Sequence, residues 1–210
     1  MPEYSFDDLV FTSKANVFVF AAANDMLQEI KLLLDEGVDI DSRHVDTQST
    51  ALYVAAGYGS MRLVNFLLER GANTNIPGEY DITPLMNSCS RGKVRGSKIA
   101  LRLIEAGANV NYLRKSDEMT ALKFAVKDCK PEVIQALINA GADVDGFPYI
   151  KQTLLMLAAR ANNVDTIKVL VENDADLSLQ CKLPWAENRT ALELAQLENC
   201  CKAAEYLSSL

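Results

Sequence analysis

Apolar residues recur along this chain at helical spacing, in windows too short for one long helix. Ile30, Leu33 and Leu34 form one such set, and Leu63, Val64, Leu67 and Leu68 another. The i, i+3, i+4 pattern marks the buried face of a helix. Shorter windows rich in small residues stand ahead of these: Ala21-Ala22-Ala23, Ala55-Ala56 and Ala158-Ala159. They predict a second kind of helix, one that packs closely against its neighbours. Polar segments of 11 to 15 residues then carry the chain from each helix pair to the next.

The pattern has a period. Five phrases align: Gly37-Val38-Asp39-Ile40-Asp41, Gly71-Ala72-Asn73-Thr74-Asn75, Gly107-Ala108-Asn109-Val110-Asn111, Gly141-Ala142-Asp143-Val144-Asp145 and Asp174-Ala175-Asp176-Leu177-Ser178. Their starts lie 34, 36, 34 and 33 residues apart. A second phrase keeps step with the first: Thr50-Ala51-Leu52, Thr83-Pro84-Leu85, Thr120-Ala121-Leu122, Thr153-Leu154-Leu155 and Thr190-Ala191-Leu192. Each part has a physical reading. Thr caps free N–H groups at a helix start, and Asn16 stands in that place in the first unit. Pro84 sits at the first helical position, where a missing N–H costs nothing. The closing Gly suits a left-handed helix C-cap. Two registers held over five units mark a repeat architecture.

With these phrases the sequence resembles the ankyrin repeat family over about residues 16–210. The resemblance implies an all-α fold, a solenoid of about six helix-turn-helix units with β-hairpin-like loops. The expected units are 16–45, 46–78, 79–115, 116–148, 149–185 and 186–210, forming a single domain, with residues 1–15 as an N-terminal lid. The family's Thr-Pro-Leu survives once, at Thr83-Pro84-Leu85. The His that commonly follows is replaced by Val19, Tyr53, Met86, Lys123, Met156 and Glu193, so its hydrogen bonds must be replaced or lost. Asp174 takes the place of a helix-ending Gly, which predicts a looser junction. Three extra residues within Arg91–Ser97 are expected in the turn between the third pair of helices.

Composition narrows the function. The chain of 210 residues is 49% hydrophobic and 23% charged, values of a folded globular protein. A net charge of −7 argues against nucleic acid, which needs clustered cations, and against an anionic membrane surface. The N-terminus lacks a basic region followed by an apolar run, so no secretory leader is expected. Five cysteines at irregular spacing, without a CxxC, fit reduced thiols and a cytoplasmic setting. One histidine, His44, leaves little room for nucleophilic triads or zinc. Asp39, Asp41, Asp143, Asp145 and Asp176 recur at one place per unit, as hairpin residues bonding local N–H groups rather than as a calcium loop. No enzyme activity, cofactor or metal is expected.

What remains is a protein–protein interaction module, with another protein as partner and a monomer as the free state. The alternative is an inhibitor or immunity-type protein that blocks a partner enzyme. The resemblance implies that a partner lies on the concave face, on hairpin tips and the exposed sides of the first helices. Carried over unit by unit, the candidate contacts are Tyr58, Tyr80, Ile82, Arg91, Arg114, Met119, Phe147, Tyr149, Ile150, Arg160 and Trp185. Tyr, Trp and Arg are frequent interface anchors; the alternative for large side chains in these loops is to fold inward and cover the hairpins, a course open to Phe147 before Pro148 and to Trp185 after Pro184. The resemblance also places Asn75 and Asn111 where the family can be hydroxylated on asparagine.

Overall fold

A computed structural model describes residues 13–90, 95–128, 130–146 and 152–210. Twelve α-helices lie among them. They are α1 (Lys14–Ala23), α2 (Leu27–Asp35), α3 (Ala51–Tyr58), α4 (Met61–Glu69), α5 (Pro84–Cys89), α6 (Arg95–Glu105), α7 (Ala121–Asp128), α8 (Pro131–Asn139), α9 (Leu154–Arg160), α10 (Val164–Glu172), α11 (Ala191–Leu197) and α12 (Cys201–Ser208). They form six consecutive pairs. The odd-numbered helices pack on one another in series, and so do α4, α6, α8, α10 and α12, giving two helical layers.

The two layers differ as the sequence pattern requires. In the second layer a narrow stripe is buried, for example Leu63, Val64 and Leu67 of α4 or Val133, Ile134 and Leu137 of α8. In the first layer almost every side of a short helix is covered: Ala51, Leu52, Val54, Ala55, Ala56 and Gly57 of α3 are all buried. Small residues make this possible. A Cβ at Gly57 would collide with the side-chain amide of Asn87 on α5, which donates to the Tyr53 carbonyl at 3.1 Å.

Helix starts follow the threonines. Thr50, Thr83, Thr120, Thr153 and Thr190 each accept from the N–H three residues ahead, at 3.2 to 3.4 Å. The first pair departs from expectation. Ser13, not Asn16, caps α1, and the Asn16 side chain accepts from Val45 N at 2.9 Å in the next hairpin. Gly37, Gly71, Gly107 and Gly141 close the second helices with φ between 80° and 91°. Asp174 takes the same left-handed conformation at φ 63°, and Ala175 N still reaches Leu170 O at 3.0 Å, so the closing hydrogen bond is kept. The third pair also differs. Arg95, Gly96 and Ser97 lie inside α6, an 11-residue helix where α2, α4, α8 and α10 have 9, so part of the insertion lengthens the helix rather than the turn.

A ladder of polar side chains joins successive loops. Within each loop Asp39, Asn73, Asn109, Asp143 and Asp176 accept from the N–H two residues on, at 2.8 to 3.0 Å. Between loops, Asp41 accepts from Asn73 N at 2.9 Å, Asn75 from Asn109 N at 2.7 Å, and Asp145 from Asp176 N at 3.0 Å. The intervening rung runs the other way: Asn111 Nδ2 donates to Gly141 O at 2.9 Å. The recurring acidic and amide residues are thus turn formers and rungs.

Candidate binding surface

The hairpins that join the pairs are closed by backbone bonds. His44 N reaches Ser49 O, Gly78 N reaches Ile82 O, Arg114 N reaches Met119 O and Cys181 N reaches Arg189 O, all within 2.8 to 3.1 Å. Residues of the first two hairpins and of α1, α3 and α5 line a common cavity. At the second tip, Tyr80 and Asp81 are both left-handed, each with φ 58°. That kink throws the Tyr80 ring outward, 75% exposed, while Asp81 turns back to accept from Tyr112 Oη at 2.6 Å and Lys115 N at 2.8 Å. Burial together with the bond to Asp81 pushes the Tyr112 phenol up to about 12. Tyr58, at the end of α3, is 67% exposed. It borders a cavity of about 280 Å³ that also touches Phe20, His44, Ser49 and Asn87.

At the other end, Trp185 is 45% exposed, with the Arg160 guanidinium 4.6 Å from the ring centre. Arg160 also reaches Glu198 at 2.5 Å and Gln152 at 3.3 Å, tying the fifth pair to the sixth. Arg114 is held within its own hairpin by Asp117, and it keeps that carboxyl below the usual carboxylate range. Ile82 is half-buried against the core. Met119 and Arg160 meet in a second cavity of about 360 Å³, lined also by Lys123, Val126, Leu157, Ala161 and Glu198. Of the residues expected at a partner contact, Tyr58, Tyr80 and Trp185 are the exposed ones here. Arg91, Phe147, Tyr149 and Ile150 lie outside the described residues.

Several surface features escaped the sequence reading. Phe20, Val45, Leu113 and Leu197 are exposed apolar residues on or beside the same elements. Lys123 is the sharpest case: the residue is 5% exposed, and its Nζ has no hydrogen-bond partner among the described residues. The available signal was its position directly after Thr-Ala-Leu, where the other units are apolar or can accept a hydrogen bond.

Comparison with known proteins agrees with this architecture. Two family models, both described as ankyrin repeats, match residues 6–78 and 122–171. Neurogenic locus notch homolog protein 1 of Xenopus tropicalis is 30% identical over 147 residues, 70% of this chain and 6% of that protein. An L-asparaginase of Dirofilaria immitis is 28% identical over 159 residues, 75% of this chain and 26% of that protein. The chain therefore spans about a quarter of one of these curated relatives and about a sixteenth of the other. Among solved structures, a chain from the complex of the predatory endopeptidase Bd0816 of Bdellovibrio bacteriovorus with immunity protein Bd3460 superimposes with a TM-score of 0.80. It is 25% identical, and the match covers 94% of this chain and 98% of that one.

Proposed function

The chain belongs to the ankyrin repeat family, and we propose that it is a non-catalytic protein–protein interaction module whose partner sits on the concave face of hairpin tips and first helices. The exposure of Tyr58, Tyr80 and Trp185 along that face carries the reading. Each offers a large, stiff ring, and such rings dominate interface energetics. The surface is preformed by caps, hairpin bonds and the ladder, so little ordering entropy is lost on binding. In this reading Phe147, Tyr149, Ile150 and Arg91, which lie outside the described residues, add further contacts. The partial likeness to an asparaginase spans 26% of that protein, and repeat units are a sufficient account of it. The free thiols of Cys181, Cys200 and Cys201 suit a reducing cytoplasm, and we take the free protein to be a monomer. No helix among the described residues is long and apolar enough to cross a membrane.

A second reading makes the module an inhibitor that blocks an enzyme. It is favoured by the near full-length likeness to a chain of an endopeptidase–immunity protein complex.

The test is affinity capture from a lysate of the source cells, with wild type beside a Tyr58→Ala, Tyr80→Ala, Trp185→Ala variant whose folding is checked by circular dichroism. The variant is expected to bind the captured partner at least about 30-fold more weakly, the loss of one interface hot spot. Equal affinity would move the interface elsewhere. If the partner is a hydrolase, its turnover with and without this protein separates inhibition from recruitment.

A further inference from the structure

We propose that the cavity around Lys123 is a socket for a carboxylate side chain, Asp or Glu, presented by the protein partner. The proposal rests on the binding face described above and adds the chemistry of one contact. Its first support is positional. The residue after Thr-x-Leu is Met86 in the third unit, buried and apolar, and Met156 in the fifth. Met156 Sδ accepts from Thr153 N at 3.4 Å, and Glu193 in the sixth unit accepts from Thr190 N at 2.8 Å. An ammonium can do neither job. It cannot accept from a backbone N–H, and burying it unpaired costs free energy. A charge held where the fold favours methionine contributes no bond to the described structure.

The second support is what surrounds it. Met119, Val126, Leu157 and Ala161 give the cavity apolar walls. Among the described residues, the two nearby carboxylates are already engaged, Glu198 with Arg160 at 2.5 Å and Asp117 with Arg114. Gln152, which accepts from Arg160, has its own Nε2 without a partner among the described residues. Among the described residues the lining therefore carries two cations and one carboxylate, in a chain of net charge −7. What is missing is an acceptor that brings its own negative charge. One free ammonium with apolar walls suits a carboxylate on a hydrocarbon stem; a phosphate would want more donors than remain free. Burial draws the Lys123 amine down to about 8, and an anion in the cavity opposes that shift.

The test uses the whole protein, its lysines labelled with carbon-13 at Cε, and N-acetyl-glutamate methylamide as probe. The Lys123 signal is assigned by its loss in Lys123→Met, a variant expected to fold. The glutamate probe should move that signal saturably and raise its titration midpoint by about one unit, while the glutamine analogue should do neither. The idea fails if both probes or neither move the signal up to about 100 mM, if the midpoint stays fixed, or if inorganic phosphate binds better. For the captured partner, Lys123→Met should weaken binding at least about tenfold, 1.4 kcal/mol, and unchanged affinity would overturn the proposal. Because the probe experiment needs no partner, a socket can fail while the aromatic face stands, and the reverse.

Discussion

The Lys123 ammonium is buried beside a cavity lined by Met119, Val126 and Leu157 and makes no hydrogen bond among the described residues, so removing its charge should help the fold. Lys123→Met is expected to raise stability at pH 7 by about 1–3 kcal/mol, the cost of a buried unsatisfied group, read as a higher Tm. The pH dependence has a definite sign. The folded amine titrates at about 8, below the roughly 10.4 of an unfolded lysine. Between these values the unfolded chain binds more protons, so wild-type stability rises with pH there. The gap to the variant should be full below pH 8 and shrink toward pH 10, as melting curves across that range will show. Among the described residues, Arg114, Asp117, Arg160 and Glu198 are the charged groups near Lys123. Asp174 is a second residue placed at a cost. Its left-handed φ of 63° favours glycine, and Asp174→Gly should raise the urea midpoint by about 0.5–1 kcal/mol in free energy.

Elements were legible to the extent that they rest on local rules. Thr before Leu, and Gly before the loop, each state a backbone requirement that can be met within four residues, so five helix starts and four helix ends could be read directly. Ser13 was missed because Asn16 satisfies the same register yet spends its side chain on Val45 of the next hairpin. Part of the insertion was read into the turn because Gly96 and Ser97 are poor helix formers, yet both lie inside α6. Of the candidate surface, aromatic tips could be proposed from composition. The burial of Lys123 could not, since it depends on how the fourth, fifth and sixth pairs meet at the cavity that Lys123 lines. The ladder gives a clean test at this scale. Asn75 accepts through Oδ1, a role aspartate keeps; Asn111 donates through Nδ2, a role aspartate lacks. Asn75→Asp should leave stability within about 0.5 kcal/mol. Asn111→Asp should lower it by about 1–2 kcal/mol in urea unfolding, by losing a hydrogen bond and setting a charge against the Gly141 carbonyl.

In the molecule as a whole, each pair is held by its neighbours, so stability is roughly a sum over interfaces. A pair in the middle has two such interfaces. Helix α12 packs chiefly on α9, α10 and α11, all to one side of it in sequence. Hydrogen exchange should therefore be slowest in α5 and α7 and fastest in α12, in the order of local opening free energies. Uniform exchange across all pairs would instead mean a single cooperative unit.

The reversed rung at Asn111 also dates a sample. Asparagine amides are thermolabile and lose ammonia slowly in water, leaving aspartate. At Asn75 that chemistry adds a charge and keeps the rung; at Asn111 it adds a charge and severs one. A stored preparation should therefore resolve, by ion exchange, into ageing products of equal charge but unequal Tm, the less stable one carrying its damage where the third unit meets the fourth.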